Sequence, residues 1–156
     1  MDLQAKNRTR RVIRVLMVFV AAVLLVMALG IPVANNFIAH GIKKELEALP
    51  LPADTTFVES VSVAGKMNGS GVQYVAALLL HSELSQQELQ NYYTALAGEE
   101  DSLTVTYRVE VQSGQTVAPA DGAAAFTHPV TGAGYYILYT REGSRGGLLD
   151  LDVREY

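Results

Sequence analysis

The stretch from Val15 to Ala34 reads VLMVFVAAVLLVMALGIPVA and contains no charged side chain over its 20 residues. An α-helix rises about 1.5 Å per residue, so a helix of this length covers the roughly 30 Å hydrocarbon core of a bilayer. No other stretch of the chain combines this length with this apolar character. The sequence therefore predicts one transmembrane helix over residues 15–34.

The charges on either side of this stretch predict its orientation. Residues 1–14 carry five basic side chains and one acid, whereas the residues after Ala34 carry seven basic and fifteen acidic side chains. Cytoplasmic flanks of membrane spans are enriched in Lys and Arg. We therefore expect a single-pass protein of the cell membrane, with a basic cytoplasmic N-terminus over 1–14 and an extracytoplasmic C-terminal part.

A cleaved signal peptide is the alternative interpretation of the same stretch. The apolar core of a signal peptide is usually about 7–15 residues long and ends in small residues at the cleavage site. Here the run is longer, and a cut after Gly30 falls just before Ile31 and Pro32. A cut after Ala34 would leave Pro32 three residues before the cleaved bond. The sequence favours an uncleaved signal anchor and leaves the cleaved form open.

Composition limits what the exported part is. The chain has 156 residues and no cysteine, so we expect one domain beyond the anchor, no disulfides and no thiolate metal site. This suits a bacterial cell envelope better than an animal extracellular domain. The acidic balance of the exported part disfavours nucleic acid as a partner. The expected partners are the lipid bilayer and an envelope protein, with no nucleic acid and no cofactor.

A second helical pattern follows the apolar stretch directly. In residues 35–49 the apolar side chains recur at helical spacing, and they are Ile38, Ile42, Leu46 and Leu49. Pro50 and Pro52 then end the helix, because proline cannot donate to the hydrogen-bond ladder. The sequence predicts a helical stalk and linker over 35–52 and a folded extracytoplasmic domain over 53–156.

The folded domain is predicted to be α+β, with its elements in the order β-β-α-β-β-β. Strands are indicated by alternating or continuous apolar runs bounded by turn residues, and they cover 55–64, 72–82, 103–112, 135–141 and 148–154. The segment 113–134 is mostly irregular, with a short strand near 124–127. We expect a mainly antiparallel sheet with one packed helix on one face and a polar, open second face.

The helix between the second and third strands has the strongest local signal. Ser85 stands three residues before Glu88, which is the spacing of a capping box, and Leu84 and Leu89 are placed for a hydrophobic staple across it. An apolar stripe of helical period follows, and Gly98 is suited to end the helix. A helix is predicted over 84–98.

No motif in the chain marks a catalytic, cofactor or metal site. The glycine-rich segment 65–71 lacks the Lys-Ser/Thr order and the following helix of a phosphate-binding loop. His81 and His128 are far apart in sequence, as is His40, and Asp150 and Asp152 share one face of the last predicted strand. Their simplest interpretation is as isolated structural or solvated residues. Tyrosines on the open sheet face would instead form a binding surface.

Residues 65–93, GKMNGSGVQYVAALLLHSELSQQELQNYY, carry a resemblance to a known group. The segment resembles small uncharacterised membrane-anchored proteins of Gram-positive bacteria, in which a glycine-rich hairpin, a Gln-Tyr strand and a similar helix start follow an N-terminal span. It covers about a fifth of the chain. The resemblance implies a location and a fold class, and it implies no activity.

These patterns favour a non-enzymatic, membrane-anchored interaction or accessory module of the cell envelope. One alternative is an envelope hydrolase acting on a cell-wall or lipid-linked substrate, which requires a concave pocket that gathers His81 or His128 with Asp150 or Asp152. Another is a sensor of small ligands, which requires a closed apolar pocket between helix and sheet.

Overall fold

A computed structural model describes residues 3–66, 71–96, 108–111, 124–143, 145–152 and 154. In this part of the chain the protein has an α+β fold, made of a long N-terminal helix, a four-stranded antiparallel sheet and a second, shorter helix. The predicted α+β class with a mainly antiparallel sheet is therefore confirmed.

The first helix, α1, runs from Leu3 to Glu47 over 45 residues. Of the described helices, it is the one that is long and apolar enough to cross a membrane. Its most apolar window is not buried against any other part of the protein. Apart from half-buried Met27, the large hydrophobic side chains that line it from Val12 to Leu29 keep between 42% and 69% of their surface exposed. In water this exposure would be unfavourable over such a length.

The C-terminal third of α1 belongs to the folded domain. Five of its side chains recur every three or four positions and are buried against the sheet or the C-terminal segment, and they are Ile31, Asn35, Ala39, Ile42 and Leu46. The helical part of the predicted stalk, 35–52, therefore packs as a core element. The physical reason is the apolar stripe, which a stalk surrounded by water would leave exposed.

The sheet has strands β1 (Thr55–Lys66), β2 (Val72–Ser82), β3 (Arg108–Val111) and β4 (Tyr135–Glu142). They pair in the order β1-β2-β4-β3, and every pairing is antiparallel. Strand β2 is apolar on both faces and lies inside the sheet, as its composition predicts. Of the predicted strand 103–112, residues 108–111 form β3, and 103–107 lie outside the described residues.

The second helix, α2, covers Gln86–Leu96 and confirms the predicted capping box. The backbone N–H of Ser85 donates to Glu88 Oε2 at 2.8 Å, and the N–H of Glu88 donates to Ser85 Oγ at 3.3 Å. Leu89 and Tyr93 point into the core. The predicted helix end at Gly98 lies outside the described part of the chain.

Each face of the sheet carries an apolar cluster. On the first, here called the helix face, α1 and α2 cover Tyr74, Leu78 and Leu80 together with Leu138. On the second, the loop face, Val75, Leu79 and Ile137 pack beneath Ala124 and Phe126. The expectation of an open, polar second face is therefore wrong for the centre of the sheet. The alternating residues of β2 and β4 are apolar on both sides, so both sides need a cover.

The C-terminal segment differs most from its prediction. The sequence predicts a strand over 148–154, but Gly147–Leu151 form a short 3₁₀ helix. Gly146 and Gly147 stand at its start with φ values of 75° and 66°, a left-handed conformation that favours glycine. The predicted short strand near 124–127 is reduced to a single bridge residue, Ala125.

Candidate functional site

Two polar clusters lie at opposite ends of the sheet. The junction cluster consists of Asn35, Tyr74, Asp152 and Arg154, and it lies where α1 enters the domain. The far-end cluster consists of Glu59, His81, Thr127, His128 and Tyr135, and it lies on the loop face near the other end of β2. Both are candidate sites, because buried or clustered polar groups mark binding and catalytic centres.

Asn35 is the centre of the junction cluster. Its side chain is fully buried on α1, where its Nδ2 donates to Asp152 Oδ2 at 2.9 Å and to the carbonyl of Leu149 at 3.1 Å. Its Oδ1 accepts a hydrogen bond of 2.9 Å from the hydroxyl of Tyr74. The amide therefore joins the helix, the sheet and the C-terminal segment, and it is satisfied on both its donor and its acceptor side.

Arg154 closes the cluster from the solvent side. Its Nε donates to Asp152 Oδ1 at 2.9 Å and its Nη2 donates to Oδ2 at 2.7 Å, the two-pronged geometry typical of arginine and carboxylate. The same guanidinium reaches α1, where it donates to Asn36 Oδ1 at 2.9 Å and to the carbonyl of Pro32 at 3.3 Å. The C-terminal segment is thus held against the part of α1 that enters the domain.

The electrostatics of the junction cluster are those of a structural contact. The hydrogen bonds from Arg154, together with those from Asn35, outweigh the effect of burial and lower the pKa of Asp152 to about 2. Burial raises the pKa of the Tyr74 hydroxyl. An ionised carboxylate and a neutral phenol, each engaged in hydrogen bonds, have no proton to exchange near neutral pH. The cluster is built to hold three elements together.

An open groove of 540 Å³ lies beside this junction, between α1 and the edge strand β1. Its walls include Phe37, of which 78% is exposed, and also Val33, His40 and Val63. It is a shallow cleft open to one side. In the described residues, the space between α1 and the centre of the sheet is filled by packed side chains.

In the far-end cluster, the Glu59 carboxylate holds a loop. Its oxygens accept hydrogen bonds from the backbone N–H groups of Thr127 and His128, each at 2.8 Å, and from the Thr127 hydroxyl at 2.9 Å. Burial disfavours the charged form of Glu59, but these donors together outweigh burial and lower its pKa. The loop that they fix carries Ala124 and Phe126, which cover the loop face.

Aromatic rings complete the far-end cluster. The Tyr135 ring stands edge-on to His81 with centroids 5.0 Å apart and lies 6.0 Å from the ring of His128. The Tyr135 hydroxyl is 3.4 Å from His128 Nε2. Gly134 allows this packing, since its φ is +83° and a Cβ would lie 3.2 Å from His81 Nε2. The result is a partly exposed patch of two imidazoles and a phenol.

The structure brings His81 and His128 together but separates both from Asp150 and Asp152. Asp150 accepts a hydrogen bond of 3.1 Å from the N–H of Val72 at the start of β2, whereas His81 stands near the end of that strand. The roughly nine residues between them span about 30 Å of strand. No group of three His, Cys, Asp or Glu among the described residues is placed to hold a metal ion.

Reasoning from sequence missed the residues that organise both clusters. Asn35 occupies the same helical stripe as Ile31 and Ala39, and a polar residue at a core position is a signal for a buried hydrogen-bond network. Glu59 and the contact of Arg154 with α1 carry no comparable signal, because the partners in these contacts are far away in the chain. Arg154 lies 122 residues from Pro32, and Glu59 lies 68 residues from Thr127.

Comparison with known proteins identifies no relative. No protein-family model matches the chain, and no curated protein and no solved structure is significantly similar to it. The functional argument therefore depends on the geometry of the described residues.

Replacing Glu59 by Gln tests the loop contact in the far-end cluster. The variant keeps one carbonyl oxygen but loses the charge, and charge-assisted hydrogen bonds are about twice as strong as neutral ones. We expect amide hydrogen exchange at Thr127 and His128 to become roughly 10-fold faster, since about 1.4 kcal/mol corresponds to a factor of ten. In the unmodified protein, the protection of these amides relative to their intrinsic exchange rate at each pH should fall in the same way as the pH drops through the lowered pKa of Glu59.

Glu83→Gln is the matched control for this measurement, because Glu83 is exposed on the short connection that precedes α2. Its exchange rates at Thr127 and His128 should equal those of the unmodified protein. Unchanged rates in Glu59→Gln as well would show that the carboxylate does not hold the loop.

Proposed function

We propose that this protein is a single-pass membrane protein of the cell envelope, whose extracytoplasmic domain is an interaction or accessory module held at a fixed position on its anchor. The observation that carries the proposal is the continuity of α1. One helix supplies an exposed apolar length sufficient to span a bilayer and, without a break, a long helix of the domain core. A module of this kind presents its surface to partners at a constant distance from the membrane.

The charge distribution supports the orientation. The basic residues of 1–14 precede the exposed apolar part of α1, and the acidic excess follows it, as expected for a cytoplasmic N-terminus. The part of α1 that packs on the sheet, from Ile31 to Glu47, is about 24 Å long. The far-end cluster would therefore stand about that far above the membrane, where a second envelope protein can reach it.

Continuity of the helix also favours an anchor over a cleaved signal peptide. Residues 28–34 are helical, and Ile31 and Asn35 are buried by the domain. A protease needs locally mobile, accessible backbone. Cleavage after Ala34 would also remove Pro32, whose carbonyl accepts a hydrogen bond from Arg154.

The two alternatives gain less from the structure. A hydrolase built on His81 or His128 with Asp150 or Asp152 requires groups that lie at opposite ends of β2. A small-ligand sensor requires a closed apolar pocket between helix and sheet, and the described cavity there is an open groove. A binding module needs neither feature.

Cysteine labelling tests the orientation, because the chain has no cysteine of its own. Leu51→Cys places a thiol after α1 where 41% of the native side chain is exposed, and Gln4→Cys places one in the basic N-terminal segment. We expect a membrane-impermeant maleimide to label the Leu51→Cys variant in intact cells and the Gln4→Cys variant only after lysis. The reverse pattern, or recovery of the full-length protein in the soluble fraction, would contradict the proposal.

Site-specific photocrosslinking tests the interaction surface. A photoreactive residue in place of exposed His128 should give a discrete protein adduct in cells, because the far-end cluster is the patch that faces away from the membrane. The same residue at Phe37, which is exposed on α1 beside the junction cluster and therefore close to the membrane, is the control and should give none. Absence of any adduct at position 128, in a protein shown to be anchored and folded, would exclude this patch as the contact surface.

A further inference from the structure

The C-terminal 3₁₀ helix exposes leucine side chains and buries aspartate side chains, the reverse of a surface segment in water. Leu148 and Leu151 are 65% and 54% exposed. Asp152, by contrast, is 1% exposed, and Asp150 turns inward to accept the Val72 N–H. Surface segments in water normally bury leucine and expose aspartate. This inverted arrangement indicates that the outer side of the segment meets an apolar medium.

The position of the segment shows which medium that is. Leu151 and Asp152 line a small crevice against Met27, Ala28 and Ile31 of α1. Met27 and Ala28 belong to the apolar run of α1, so Leu151 continues the apolar surface of that helix, and Leu148 lies on the same short 3₁₀ helix. Met27 lies roughly seven residues before the end of the run at Ala34, about 10 Å along the helix axis. Segments that lie in a membrane interface reach about 5–10 Å into it.

We propose that the 3₁₀ helix Gly147–Leu151 is a second membrane contact, inserted into the outer interface of the bilayer through Leu148 and Leu151. The inference rests on the proposed function, since it requires α1 to span the bilayer. The domain would then touch the lipid at two places, the anchor helix and this segment. The junction cluster lies directly behind the leucines and holds them against α1 through Asn35, Asp152 and Arg154.

Two contacts have a consequence that one contact lacks. A domain on a single helix can tilt with it in any direction, whereas a second lipid contact on one side fixes which side of the domain faces the membrane. Insertion of the leucines does not place an unpaired polar group of the segment in the lipid. Asp150 and Asp152 accept hydrogen bonds within the protein, so neither carboxylate has to enter lipid unpaired.

Single cysteines with an environment-sensitive fluorophore measure the contact directly. The test variants are Leu148→Cys and Leu151→Cys. Val23→Cys, in the apolar part of α1, is the reference for a position inside the lipid, and Leu51→Cys is the reference for a position in water. Each labelled full-length protein is placed in lipid nanodiscs at one copy per disc. We expect blue-shifted emission at 148 and 151, and iodide quenching roughly fivefold weaker than at 51, because lipid at interfacial depth excludes the ion.

The references separate the two proposals. If position 23 is protected while 148 and 151 are quenched as strongly as 51, the anchor stands and the second contact is wrong. If position 23 is also quenched, the anchor itself fails and the second contact fails with it. Protection at 148 and 151 that appears only with two copies per disc would assign the leucines to a contact between copies, which would overturn the proposal as well.

Discussion

Leu46→Ala should lower the free energy of unfolding of the domain by about 2–5 kcal/mol, the usual range for removing a fully buried leucine side chain. Leu46 is 1% exposed and belongs to the cluster on the helix face. It lies on the segment that the sequence predicts as a stalk. A large loss of stability would therefore show that this segment is a structural part of the domain.

The measurement is equilibrium unfolding by urea in detergent or bicelles, followed by tyrosine fluorescence, because the chain has eight tyrosines and no tryptophan. Phe37→Ala is the matched control on the same helix. Phe37 is 78% exposed, so its removal should change the unfolding free energy by no more than about 0.5 kcal/mol. Equal and small effects of both substitutions would show that α1 does not contribute to the core.

Asp152→Asn should destabilise the domain by about 2–3 kcal/mol at neutral pH, less than the roughly 3–5 kcal/mol for a fully buried ion pair because the Arg154 side chain is 26% exposed. The substitution removes the buried charge that pairs with Arg154, while Asn35 and Arg154 keep their positions around it. The lowered pKa of Asp152, about 2 against an ordinary value of 3.8, gives an independent value of about 2 kcal/mol.

The pH dependence of this effect has a definite sign. The pKa of Asp152 is lower in the folded protein, so its charge contributes stability that is fully present above pH 3.8 and is lost as the pH falls toward 2. The difference in unfolding free energy between the unmodified protein and Asp152→Asn should therefore be constant at about pH 5–7 and shrink between about pH 4 and 2. A difference that does not change with pH would refute the charged role.

Asp150→Asn is the control for Asp152→Asn. Its amide keeps an oxygen in place for the Val72 N–H, so we expect a loss of about 1 kcal/mol or less. Similar losses of unfolding free energy in the two variants would mean that any removal of charge from the segment destabilises it and that the ion pair with Arg154 contributes no additional stability.

Sequence patterns predict an element correctly where the interactions that form it are local. The capping box at Ser85 and Glu88 depends on residues three positions apart, and the continuous apolar run of β2 predicts a strand inside the sheet. The apolar length of α1 is equally plain in the sequence. In each case neighbouring residues contain the information, because a hydrogen-bond ladder or a hydrophobic period repeats within a few positions.

Predictions fail where a distant partner decides the conformation. The alternation of Leu149, Leu151 and Val153 with acidic residues is typical of a strand, but Asp150 and Asp152 are drawn inward by the Val72 N–H and by Asn35. The apolar stripe over 35–49 does not reveal which part of the protein it packs against, so from sequence the segment is interpreted as a separate stalk. Hydrophobic periodicity predicts that a helix has an apolar face, but the surface that packs against this face is determined by the tertiary structure.

The histidines show the same limit for the candidate site. His81 and His128 are 47 positions apart in the chain. The pairing of β2 with β4 brings His81 beside Tyr135, and Glu59 holds the loop that brings His128 there. The expected partners Asp150 and Asp152 lie at the opposite end of the sheet. A sequence can contain the residue types needed for acid–base chemistry although the fold does not bring them close together.

The unbroken passage of α1 from the apolar stretch into the core implies a geometric coupling. An α-helix advances about 100° per residue around its axis, so inserting one alanine near Gly30 would turn the whole domain by that angle relative to the lipid-facing side. Three or four inserted residues would nearly restore the original azimuth. Activity that varies with this period as residues are added would mean that the protein works by the direction in which its outer domain is aimed.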